Sequence, residues 1–98
     1  MKEIELREKV ESAHKEYDPI EIGEGVSVDA TRDVVNGSYV VEGNITKNDN
    51  NIGRFTMNEK QSRLFVNLTC DGLKRNTIRD TAETITSIML QLIPAEEE

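Results

Sequence analysis

The stretch Val34-Val35-Asn36-Gly37-Ser38-Tyr39-Val40-Val41 constrains this chain more than any other. Two apolar runs flank Asn36-Gly37, which suits a two-residue type I′ loop in which both residues take positive φ. That loop fixes a register: 35 faces 38, 34 faces 39, 30 faces 43 and 28 faces 45. One face then collects Val26, Val28, Ala30, Val34, Tyr39, Val41, Gly43 and Ile45. The other collects Ser27, Asp29, Thr31, Asp33, Ser38, Glu42, Asn44 and Thr46. Only Arg32 breaks the dry face, and only Val35 and Val40 break the wet one. A slip of one residue would exchange the faces. Loop chemistry and apolar segregation therefore agree on strands over 26–35 and 38–47.

Two more strands extend the pattern. A three-residue loop at Asp49-Asn50-Asn51 sets Ile45 opposite Phe55 and Gly43 opposite Met57, with a strand over 52–58. A four-residue loop would turn Arg54 to the dry face and is rejected. After a polar turn around Glu59-Lys60-Gln61-Ser62, a strand over 63–70 adds Leu64, Val66, Leu68 and Cys70 to the dry face. Phe65 points the other way.

Helices are expected at both ends. Over 3–17, Leu6, Val10, Ala13 and Tyr17 form a stripe at helical spacing. Glu3–Arg7, Glu5–Lys9 and Glu11–Lys15 are i,i+4 pairs with the acid first, the better orientation. Asp18-Pro19 ends that helix, because the residue before proline avoids the α region. Ile20 and Ile22 can offer extra strand pairing, but Gly23 and Gly25 argue for a loop. Over 77–93, Thr77 is the expected N-cap, with Asp80 three residues on. Ile78, Ala82, Ile85, Ile88, Met89, Leu92 and Ile93 make the apolar arc, and Leu90 falls outside it. Pro94 closes the helix before an acidic tail over 95–98. The expected fold is a single α+β domain of two layers, α-β-β-β-β-α, with a four-stranded antiparallel meander and both helices on one face.

Ninety-eight residues at 36% hydrophobic content suit one domain with a modest core. The net charge of -7 excludes a general nucleic-acid binder, which must replace phosphate counterions. The acids concentrate at the ends: residues 1–30 hold nine acidic and four basic side chains, while 31–72 hold five of each. No apolar run reaches membrane-spanning length. A lone cysteine cannot form an internal disulfide, so a reducing cytoplasm is the expected setting.

No motif carries catalytic chemistry. His14, the one histidine, sits beside the first stripe with no orienting acid or nucleophile at a telling spacing. Cys70 reads as a small apolar residue and not a nucleophile. One Cys and one His on distant elements cannot build a zinc site. The stretch Asn48 to Gly53 lacks the closing Glu of a calcium loop. Asp29, Asp33, Glu42, Arg54 and Arg63 on the open face read as cross-strand ion pairs. No cofactor, metal or catalytic residue is expected.

The sequence thus predicts a small, soluble, non-enzymatic protein-interaction domain that self-associates, its protein partner being a second copy or a heterologous protein. Its expected protein contacts are Val35, Val40 and Phe65 on the open sheet face and Leu90 on the second helix. The alternatives are an acidic inhibitor or antitoxin-like protein that fills a basic cleft, and a small-ligand binder with a pocket near Gly43.

Overall fold

The computed structural model describes residue 4, residue 6, the backbone of 8–10, and residues 14–93. Six strands follow one another: β1 (Glu8–Val10), β2 (Lys15–Gly23), β3 (Val26–Val35), β4 (Ser38–Lys47), β5 (Asn50–Lys60) and β6 (Arg63–Cys70). One helix, α1 (Arg75–Leu92), completes the chain's described elements. The strands pair in sequence order as a single antiparallel meander. The α+β class holds, with more strands and fewer helices among the described residues than expected.

The same turn builds each hairpin from β2 to β6. Glu24-Gly25, Asn36-Gly37, Asn48-Asp49 and Gln61-Ser62 each place both loop residues at positive φ. That backbone matches the right-handed twist of the flanking strands. Register follows at once for β3 and β4: Val35 faces Ser38, Val34 faces Tyr39 and Val28 faces Ile45, as the sequence predicts.

The β4–β5 hairpin departs from expectation. Its loop has two residues, Asn48-Asp49, so Lys47 faces Asn50 and Thr46 faces Asn51. Continued unchanged, this ladder would turn Phe55 away from the core. A bulge at Ile52 inserts one residue, after which Ile45 faces Gly53 and Gly43 faces Phe55. Phe55 and Met57 are thereby fully buried. The bulge is well satisfied: Asn51 Oδ1 accepts from the Gly53 amide at 3.1 Å, and the Ile52 carbonyl accepts from the Asp71 amide at 3.0 Å. The expected pairs Ile45–Phe55 and Gly43–Met57 are corrected accordingly, while the faces stand.

Where the stretch 3–17 is described, β1 and the start of β2 stand in place of the expected helix. Its i,i+4 pairs contribute only a few tenths of a kcal/mol each, and those pairs involve residues outside the described set. Against that stands a ladder along β3, whose edge would otherwise be unpaired. Tyr17 faces Ala30 and Ile20 faces Val28, with one extra residue between them at Asp18-Pro19. Proline has no amide to offer a ladder, so an irregular register there is natural. The shift returns Tyr17 and Ile20 to the same face, and Tyr17 is buried. Ile20 and Ile22 are strand residues and not a loop. The acidic tail over 95–98 lies outside the described residues.

The core unites Tyr17, Val26, Val28, Ala30, Val41, Ile45, Phe55 and Met57 with Ile85, Ile88 and Leu92 of α1. The helix lies over β2 and β3. Its buried face is rotated from the purely apolar arc. Thr77, Thr81, Thr84 and Ser87 are buried, whereas Ile78 is 44% exposed and Ala82 and Met89 are half-buried. Thr81 and Thr84 donate to the carbonyls of Thr77 and Asp80, each at 2.8 Å. The hydroxyls are thus satisfied within the helix, and the methyl groups can pack against the sheet. Thr77 is not the N-cap. Lys74 holds that place in an extended conformation without a capping side chain, and the Thr77 hydroxyl donates to Glu24 Oε2 at 2.9 Å.

Candidate interaction surface

A helix with its side chains is about 10–12 Å across, and neighbouring strands lie about 4.8 Å apart. One helix set over β2 and β3 cannot cover a six-stranded sheet. What stays bare is β6. Seven of its eight residues are exposed, from Arg63 through Thr69. Leu64, Val66 and Leu68 stand on the helix side of the sheet at 52%, 49% and 37% exposure. The expected burial of this stripe under two helices is corrected, because α1 is the one helix among the described residues. Only Cys70 is partly covered, and burial pushes its thiol pKa up, with Asp71 adding to the rise. A protonated thiol is a poor nucleophile.

On the opposite face the structure brings three of the expected contacts near one another. Asp33, Val40, Asn58 and Phe65 form a row across β3 to β6. Phe65 is 60% exposed, Val40 is half-buried, and Val35 is exposed at the nearby hairpin end. Leu90 is also exposed, on α1 and hence in the other layer. It does not join the sheet residues. Sequence reasoning found Phe65 but missed Leu64, Val66 and Leu68. Strand order held the missing signal: the last strand of a meander is an edge, and edges lie farthest from a central helix.

Of the groups expected to form ion pairs on the open face, Glu42 and Arg54 meet each other and Asp33 meets His14. Arg54 Nη2 lies 3.7 Å from Glu42 Oε2. His14 Nδ1 lies 2.6 Å from Asp33 Oδ1, and this bond to the carboxylate raises the histidine pKa. The Asn44 amide donates to Asp29 Oδ1 at 2.7 Å. At Gly43 the Phe55 ring and the Asp29 carbonyl occupy the space next to the α-carbon. The depression lined by Asp29, Thr31, Glu42, Gly43, Asn44 and Arg54 is partly open to solvent and not an enclosed cavity. Among the described residues, no group of three or more His, Cys, Asp or Glu side chains could hold a metal ion. No helix among them is long and apolar enough to cross a membrane.

Comparison of the chain with protein-family models, with curated proteins and with solved structures finds no match.

Proposed function

We propose that this chain is a non-enzymatic protein-interaction domain that self-associates, with β6 as its binding element. The observation that carries the reading is the exposure of β6 along seven of its eight residues, four large apolar side chains among them. Sheet edges in natural proteins are ordinarily blunted by charge, proline, a bulge or a covering element. Among the described residues β6 has none of these between Leu64 and Thr69, and its ladder with β5 runs without a bulge. Exposed Phe65 supplies an aromatic anchor of the kind that dominates contact energy. The same reading sets the domain in a reducing cytoplasm, where the Cys70 thiol needs no disulfide partner.

Light scattering after size exclusion, from about 1 µM to about 1 mM chain, tests the reading across the range of weak to moderate affinities. The expected mass rises from 11.1 kDa toward twice that value with concentration. Phe65→Ser shifts the transition to higher concentration, while Leu90→Lys leaves it in place. A mass that stays monomeric throughout overturns the proposal.

A further inference from the structure

Backbone groups on β6 alternate between facing β5 and facing the open edge. Lys60 faces Arg63 across the two-residue Gln61-Ser62 loop. In such a loop the closing pair is hydrogen-bonded, so the Arg63 backbone points into β5. At the other end the Asp71 amide donates to Ile52 of β5, so Asp71 points the same way. The two are eight residues apart, and backbone direction alternates along a strand. Arg63, Phe65, Asn67, Thr69 and Asp71 thus spend their backbone groups on β5. Leu64, Val66, Leu68 and Cys70 turn theirs outward. The side chains of Leu64, Val66 and Leu68 are the bare apolar stripe on the helix side, and Cys70 at its end is partly covered.

A second copy of β6 can pair with this edge antiparallel, about a two-fold axis normal to the sheet. That symmetry keeps both helices on one side and matches like faces. The axis can pass through Val66, Asn67 or Leu68. Centred on Val66, the outward residues form three hydrogen-bonded pairs within the strand, because a fourth would need Ser62, which is in the turn. Centred on Leu68, they again form three. Centred on Asn67, all four outward residues pair: Leu64 with Cys70 and Val66 with Leu68, each twice. Each such pair exchanges two bonds, giving eight in place of six. The same register sets Phe65 opposite Thr69 and Arg63 opposite Asp71, so opposite charges meet at both ends. Within one chain these two residues lie about 26 Å apart, at roughly 3.3 Å per residue. Their attraction operates only between copies.

Resting on the reading of β6 as the binding element, we propose that two copies join β6 to β6 in the register centred on Asn67. The product is one continuous sheet of twice the six strands of each copy. It satisfies the free backbone edge, and it sets the exposed apolar stripes of the two copies side by side.

Cysteine scanning tests the register on a Cys70→Ser background. In a non-hydrogen-bonded antiparallel pair the α-carbons are about 4.5 Å apart, within disulfide range. Asn67→Cys should therefore form a covalent dimer under mild oxidation, read on a non-reducing gel. Val66→Cys, Val40→Cys and Leu90→Cys should stay single chains. Association by light scattering without an Asn67→Cys crosslink, or with crosslinks at Val66, Val40 or Leu90 instead, overturns this geometry and leaves self-association standing. A monomeric mass throughout sinks both. Charge reversal gives an independent check. Arg63→Glu and Asp71→Arg should each weaken association on the order of tenfold, as two exposed ion pairs turned repulsive would. The double variant should restore it, since each reversed charge meets its complement on the second copy. A double variant weaker than either single one overturns the register.

Discussion

Gly43 faces Phe55 across β4 and β5, and the aromatic ring fills space that a β-carbon at position 43 would need. The Asp29 carbonyl crowds the same point from β3. That atom is backbone, so it cannot swing aside as a flexible side chain would. Gly43→Ala should therefore destabilise the fold by about 1–3 kcal/mol, the usual cost of overpacking. Urea denaturation followed by circular dichroism measures it. An alanine variant as stable as the parent would mean that β3 and β4 can part at this point.

The rotation of α1 makes a second expectation. Ile88 is fully buried, whereas Ile78 is 44% exposed. Ile88→Ala should cost about 2–5 kcal/mol, the range for a buried aliphatic truncation. Ile85→Ala belongs in the same range. Ile78→Ala should cost less than about 1 kcal/mol, because much of its side chain is already wet. Thermal or chemical unfolding of the three variants checks the order. Equal losses at 78 and 88 would return the helix to the purely apolar orientation.

The His14–Asp33 contact predicts a pH dependence. The hydrogen bond to Asp33 is the main cause that lifts the His14 pKa above 6.5, with the charges of Asp33 and Glu16 acting the same way against desolvation. A raised folded pKa means that the folded state binds the proton more tightly than the unfolded chain. The contribution to stability is therefore full below the unfolded value and fades as pH rises through the folded one. NMR titration of the imidazole should give a midpoint above 6.5, and Asp33→Asn should bring it down. A midpoint that Asp33→Asn leaves unmoved would show that the carboxylate is not the cause.

The middle of this fold was legible because two local rules agreed there. Asn36-Gly37 set a loop and the alternation of valines set a face, so β3 and β4 were bounded as observed. The β4–β5 register was not legible, because a tighter loop and a bulge at Ile52 together mimic the facing of a longer loop. Side-chain alternation reports parity, and a shift of two residues preserves it. At the N-terminus the helical spacing of Tyr17 with Val10 competed with a non-local gain, the pairing of β2 along β3. Nothing within residues 3–17 records that gain. Of the candidate surface, Phe65 was visible as an apolar residue on a polar face. The exposure of Leu64, Val66 and Leu68 depends on how far one helix reaches over the sheet, which is a property of the assembled layers.

The hydroxyls of Thr81 and Thr84, folded back onto carbonyls one turn earlier, give α1 a conditional oiliness. As an unfolded segment these side chains are solvated and present little that would attract another greasy surface. Only when the turns wind up do the hydroxyls find their acceptors and leave the methyls facing outward. Winding and docking thereby reinforce each other: the helix becomes adhesive as it forms, and the sheet protects the winding that made it so. A chain built this way keeps part of its stickiness latent until it has the shape to use it.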